Sequence, residues 1–128
     1  MALRIVRLGS PRARDEGTRI GAVRRLPRGV RKERYAADDW FDLWYPELSP
    51  SAPLVKKALA AETQKDWAAF ERAFRKEMDE PAARRTLDLL AALSHDANFS
   101  LGCYCEDEGR CHRSVLHALL SERKAKLR

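Results

Sequence analysis

Cysteine is scarce in this chain and unevenly placed. The 128 residues include three cysteines, all between positions 103 and 111. A small secreted domain that depends on disulfides needs more cysteines, spread along the chain, so that class of protein is excluded. Clustered cysteines instead predict local chemistry or a reduced structural pocket.

Long apolar runs are also missing. The longest uncharged apolar stretches are too short to cross a bilayer. Arg4 and Arg7 interrupt the apolar residues near the N-terminus, which is unlike the core of a secretory signal. We therefore expect a cytoplasmic protein that has no membrane partner.

Positive charge is concentrated at one end of the chain. Residues 1–34 hold eleven Lys and Arg against three Asp and Glu, whereas the remainder holds fourteen against sixteen. A basic region of this kind attracts phosphate-bearing partners by long-range electrostatics and counterion release. The alternative interpretation is an arginine-rich surface that is simply solvated.

Three apolar segments predict β-strands. Leu3 to Leu8 ends at a Gly-Ser-Pro turn, Ile20 to Leu26 ends at Pro27, and Phe99 to Cys105 alternates in the manner of a strand. A fourth strand is expected only if it is short.

Helical periodicity follows in the second half of the chain. Apolar residues recur at steps of three and four over residues 67–78, a second helix starts at Pro81, and residues 115–120 mark a last helix. A further short helix, capped by Asp38 or Asp39, is expected to carry Trp40, Leu43 and Trp44. Strands separated by helices predict a small three-layer α/β domain, with a largely parallel sheet flanked by helices. We expect one domain over residues 1–128, with a frayed basic tail at 123–128.

Large aromatic residues crowd into one short segment. Trp40, Phe41, Trp44 and Tyr45 lie within six residues, and prolines follow closely. Such a cluster lines a ligand groove in some proteins and packs a long connection onto the core in others. We favour packing, and we expect the prolines to hold the following chain in an extended or turn conformation.

The stretch from Cys105 to Arg113 is the main candidate site. It is expected to leave the carboxyl end of a strand and enter a helix, where α/β proteins usually bind ligands. Exposed backbone N–H groups and the helix dipole favour anions at such a place. The favoured interpretation is an anion pocket formed by Arg113, His112 and Ser114.

Other arginines are expected to complete this pocket. Arg24, Arg25 and Arg28 follow the predicted second strand, and therefore belong to the same edge of a parallel sheet. Their guanidinium groups suit phosphate or carboxylate. Surface solvation is the alternative role for them.

Two other chemistries compete for the same loop. Cys111 or Cys105 would act as a nucleophile with His112, and Glu106 would serve as a general acid or base. Zinc bound by Cys103, Cys105, Cys111 and His112 is disfavoured, because adjacent residues rarely both reach one metal and the usual two-residue spacings are absent. We therefore predict neither a metal nor a cofactor.

The same residues carry a family resemblance. Leu26-Pro27-Arg28-Gly29-Val30 with Lys32-Glu33, Trp40, and the closing Cys105 and Cys111-His112-Arg113-Ser114 resemble the bacterial family named domain of unknown function 488, the YeaO-like proteins. The resemblance runs from about Ile5 to Leu120. It departs at Leu26, where many relatives have tryptophan before the proline. It implies a compact three-layer α/β fold in a bacterial cytoplasm and no assigned reaction.

Three functional hypotheses remain open at this point. The first is a domain that binds, and in one version processes, a nucleotide or nucleic-acid phosphate. The second is a non-catalytic module whose basic surface docks an acidic protein partner. The third is a thiol or redox role for Cys105 and Cys111.

Overall fold

The computed structural model describes residues 2–104 and 111–128, and in these ranges it has a four-stranded sheet. The strands are β1 (Leu3–Arg7), β2 (Thr18–Gly21), β3 (Leu43–Trp44) and β4 (Phe99–Cys103). They are all parallel and lie in the order β1-β4-β2-β3. Their carboxyl ends therefore share one edge of the sheet.

The central strand is β4, which pairs with β1 on one side and with β2 on the other. Phe99 lies opposite both Leu3 and Thr18 in the register. All five residues of β4 are buried, as is usual for a parallel strand that is covered on both faces. The chain that leaves β4 consequently emerges in the middle of the carboxyl edge.

The described part of the chain contributes four α-helices: α1 (Ala52–Ala60), α2 (Gln64–Met78), α3 (Pro81–Leu93) and α4 (His112–Glu122). The α/β class and helices α2, α3 and α4 agree with the sequence predictions. Helix α1 was not predicted, because Pro53 and the two prolines before it suggested an extended chain. Pro53 lies in the first turn of α1, where a missing N–H has no intrahelical partner to lose.

The two faces of the sheet are covered differently. Side chains from all four helices form one apolar core with Leu3, Ile20, Phe99 and Leu101 of the strands. Arg19 and Ser100 alternate to the opposite face, where Arg19 donates to carbonyl groups of the loops at Ser10 and Asp39. The described helices thus lie on one face of the sheet, and loops form the layer on the other face.

Two local predictions are wrong. Strand β2 ends at Gly21 instead of reaching Leu26, and the aromatic segment forms the edge strand β3 instead of a short helix. Phe41 packs so closely on Gly21 that a Cβ there would lie 2.5 Å from the ring. This contact, together with Asp39 at a φ of 62°, directs the segment along the sheet.

The last residues return to the first strand. Leu127 forms a β-bridge with Leu3, and the Leu3 N–H donates to the Lys126 carbonyl at 2.8 Å. The tail, for which fraying was expected, is therefore hydrogen-bonded to β1. In the described ranges, no helix has both the length and the apolar content needed to cross a membrane.

Candidate functional site

An open cleft of about 720 Å³ lies at the carboxyl edge of the sheet. Its walls come from the chain that follows β1, the chain beyond β2 and the residue that follows β4. The lining residues are those at positions 7–11 and 25–28, with Trp40 and Tyr104. Parallel α/β sheets bind ligands at this edge, and the volume falls within the usual range for small-molecule sites.

Arginines give the cleft its charge. Arg7, Arg25 and Arg28 line it, and all three side chains are exposed. Among the residues that the structure describes, the guanidinium groups of Arg25 and Arg28 form no ion pair. Their charge is therefore available to an incoming anion.

Two aromatic rings supply the apolar part of the cleft. Trp40 and Tyr104 meet edge to face, with ring centroids 5.8 Å apart and an interplanar angle of 75°. The Tyr104 hydroxyl donates to the Arg25 carbonyl at 2.8 Å. Burial, with a smaller effect of Tyr35, raises the pKa of Tyr104 to about 12, so the ring carries no charge at neutral pH.

The position of Trp40 follows from the turn that ends β1. Gly9 has a φ of 90°, a backbone conformation that other residues rarely adopt, and its N–H donates to the Asp39 carbonyl at 2.8 Å. A Cβ on Gly9 would lie 3.2 Å from the Trp40 ring. The turn therefore brings the loop before β3 against the end of β1 and fixes one wall of the cleft.

A second group of chemically active side chains packs behind this cleft. Cys103 and Cys111 are 0 % and 1 % exposed and belong to a small apolar cluster with Leu8, against which Trp40 and Tyr104 pack. His112 joins the two thiols: one ligand atom of each residue lies within 4.8 Å of those of the other two. Leu8, Trp40 and Tyr104 also line the cleft, so the two sites share a wall.

His112 is held in one orientation. Its Nε2 donates to the Ala22 carbonyl at 2.7 Å, since a carbonyl oxygen only accepts. The Phe74 ring meets the imidazole edge to face, with centroids 5.9 Å apart. The Nδ1 atom then faces Cys111 Sγ at 3.9 Å.

The predicted anion-binding residues separate into two groups. Arg25 and Arg28 line the cleft, whereas the Arg24 guanidinium donates to the carbonyl groups of Pro50 and Ser49 at 3.1 and 3.2 Å. Arg113 is 5 % exposed and does not line the cleft.

The remaining predicted site residues are Ser114, which the structure describes, and Cys105 and Glu106, which it does not. The Ser114 hydroxyl donates to the Cys111 carbonyl at 2.8 Å, a local contact at the start of α4. Cys105 and Glu106 lie outside the described residues, so their predicted roles stay predictions.

Sequence reasoning named the residues of the cysteine–histidine cluster but missed two polar residues of the cleft. Arg7 ends β1 and Tyr104 directly follows β4, so the rule for carboxyl ends of parallel strands was the signal that could have found them. The adjacency of Cys111 and His112 was expected to separate their side chains. Cys111 instead has an extended backbone at the cap of α4, and His112 begins the helix, which lets both side chains turn to Cys103.

Comparison with known proteins places the chain in a family. No curated protein and no solved structure matched it significantly. A family model described as the "Active DUF488-N3 subclade" matches residues 3–124, which include every residue of the cleft and of the cysteine–histidine cluster. The chain therefore belongs to the DUF488-N3a family.

Proposed function

We propose that this protein binds a nucleotide or a nucleic-acid phosphate in the cleft at the carboxyl edge of its sheet. The observation that carries the proposal is one cleft that combines two aromatic rings with two exposed arginines, neither of which pairs with a described carboxylate. Guanidinium groups suit phosphate, and aromatic side chains suit nucleobases.

The arginines and the aromatic rings of the cleft together favour a ligand that has both a phosphate and an aromatic base. Arg25 and Arg28 supply positive charge on the side of the cleft that follows β2. Trp40 and Tyr104 supply apolar surface, and the uncharged Tyr104 phenol does not repel an anion. A purely apolar ligand would leave the arginines unused, and inorganic phosphate would leave the rings unused.

Catalysis is not part of this proposal. Cys111 is 1 % exposed and is not among the residues that line the cleft, and the reactive pair of Cys111 and His112 stays a prediction. Binding alone is consistent with the contacts that are described.

The proposal is tested by titrating the protein with a fluorescent mononucleotide and a short single-stranded oligonucleotide at low and moderate salt. We expect the double variant Arg25→Ala/Arg28→Ala to bind at least tenfold more weakly. The matched control is Arg14→Ala/Arg31→Ala, which removes the same charge from exposed positions outside the cleft. It should lose only the part of the affinity that depends on overall charge.

Equal losses in the two double variants would contradict a specific site and indicate attraction by net charge alone. Absence of binding to either probe would also overturn the proposal. The alternative hypothesis, a module that docks an acidic protein partner, would then be favoured. The same variants would test it in binding assays with acidic proteins. If the protein instead acts through thiol chemistry, both double variants should have the same thiol reactivity as the wild type.

A further inference from the structure

We infer that Cys103, Cys111 and His112 form a zinc-binding site behind the cleft. The three side chains come from the end of β4 and the start of α4, and their ligand atoms lie within 4.8 Å of one another. The inference is independent of the proposed nucleotide binding, since none of these residues lines the cleft.

The spacing of the ligand atoms suits a tetrahedral ion. Zinc–sulfur bonds of about 2.3 Å and zinc–nitrogen bonds of about 2.0 Å place neighbouring ligand atoms roughly 3.5–3.8 Å apart. Cys111 Sγ and His112 Nδ1 are 3.9 Å apart. The other pairs of ligand atoms lie within 4.8 Å, so side-chain rotations that shorten them by about 1 Å would bring all three onto one ion.

The orientation of the imidazole supports the same conclusion. Metal-binding histidines commonly donate the N–H of the other ring nitrogen to a carbonyl or carboxylate, which fixes the tautomer and directs the ligating nitrogen. In His112 the Nε2–H donates to the Ala22 carbonyl at 2.7 Å, and Nδ1 lies 3.9 Å from Cys111 Sγ. A neutral ring held in this way presents its Nδ1 lone pair to the cluster.

The surroundings favour zinc over hard cations. Two thiolates and an imidazole are ligands that zinc prefers to magnesium or calcium. The buried thiolates would carry two negative charges, and one divalent ion cancels both, so the loaded site adds no net charge to an apolar cluster. The three ligands found among the described residues account for three of the four positions that zinc usually fills.

The first experiment measures metal in the full-length wild-type protein. Protein stripped with a chelator is incubated with Zn²⁺, desalted and assayed for bound metal, and a parallel sample is titrated with Co²⁺. We expect one ion per chain, a thiolate-to-cobalt charge-transfer band, and a higher melting temperature on adding Zn²⁺. Binding should weaken as the pH falls, since the thiols must lose their protons.

Single substitutions identify the ligands. His112→Asn and Cys111→Ser should each lower zinc affinity by at least tenfold in competition with a chromophoric chelator, and Cys111→Ser should weaken the charge-transfer band. His117→Asn is the matched control, because His117 lies on the same helix with an exposed side chain. Circular dichroism of the stripped variants separates lost ligation from lost folding.

Three results would overturn the inference. One is wild-type protein that retains no zinc after desalting and gives no charge-transfer band. Another is a His112→Asn variant that binds zinc as tightly as the His117→Asn control. The third is a cluster that takes up no metal under reducing conditions and forms a Cys103–Cys111 disulfide on exposure to a disulfide oxidant, which would assign the two thiols to redox chemistry.

Discussion

Arg19 and Arg28 are the same kind of residue in opposite situations. Arg19 is 0 % exposed, and its guanidinium forms two hydrogen bonds with the Glu16 carboxylate, at 2.7 and 3.0 Å. Arg28 is exposed in the cleft and forms no ion pair with any described residue. A buried arginine with every partner inside the protein serves the fold, whereas an exposed arginine beside a cleft is suited to a ligand.

The buried pair is completed by further contacts. Ser100 donates to the Glu16 carboxylate at 2.6 Å, and Arg19 donates to the carbonyl groups of Ser10 and Asp39. The network therefore joins β2, β4 and two loops on the face of the sheet opposite the described helices. Arg25 and Arg28 form no ion pair with a described residue and can be removed without breaking this network, which makes the two groups separable by mutation.

Arg19→Met should have the largest effect on stability. It leaves the Glu16 carboxylate buried without its cation, and breaking a buried ion pair in this way costs about 3–5 kcal/mol. Arg28→Ala should change the free energy of unfolding by less than about 0.5 kcal/mol, as at most surface sites. Urea unfolding of both variants checks the contrast, and similar losses in the two would remove it.

The stability of the protein at acid pH should also depend on the pair of Glu16 and Arg19. Burial raises the pKa of Glu16, but hydrogen bonds from Arg19 and Ser100 outweigh burial and lower the pKa from 4.5 to about 2. A lowered folded-state pKa contributes stability that is present above about pH 4.5 and is lost as the pH falls toward 2. The loss is on the order of 3 kcal/mol.

The check is unfolding at a series of pH values in wild type and in Glu16→Gln. The variant starts less stable and should lose less on acidification, because its side chain takes up no proton in this range. Parallel acid-induced losses in the two proteins would assign the acid sensitivity to other carboxylates.

The sequence predicted those elements whose residues follow a regular local pattern. The apolar stripe of α2 can be read from the sequence because residues three and four positions apart share a helix face. The proline marks the start of α3 because its missing N–H would have no partner there. The two-residue strand β3 carries too little pattern to read, and its position depends on a contact between Phe41 and Gly21. The Glu16–Arg19–Ser100 network joins residues 84 positions apart and has no local signal.

The candidate site was predictable to a similar degree. The carboxyl end of β4 and Arg25 and Arg28 follow from the rule for parallel sheets. The direction of each side chain does not follow, and Arg24 and Arg113 do not line the observed cleft, so their role in an anion pocket stays a prediction. The meeting of Cys103 with Cys111 and His112 depends on the backbone conformation at the cap of α4, which spacing alone does not specify.

A smaller effect is expected at the aromatic wall of the cleft. Trp40→Leu should weaken nucleotide binding by about 1–3 kcal/mol if the ring stacks on a base. Trp40→Phe should retain part of that affinity, and Trp44→Leu should retain all of it, because Trp44 does not line the cleft. Fluorescence titration of the three variants checks the order, and equal losses in both leucine variants would indicate a general effect on the fold.

The smallest effect should come from an ion pair on the surface. Arg75 and Glu122 meet in two hydrogen bonds of 3.2 and 2.9 Å, a forked geometry like that of Arg19 and Glu16, but the Glu122 side chain is 55 % exposed. The hydrogen bond from Arg75 lowers the pKa of Glu122, yet water and salt screen the pair. Arg75→Ala should therefore cost only about 0–1 kcal/mol, and added salt should reduce the difference further. A loss equal to that of Arg19→Met would mean that the forked geometry determines the strength of these pairs. A small loss, measured by urea unfolding at two salt concentrations, assigns the difference to the exclusion of water from the buried pair.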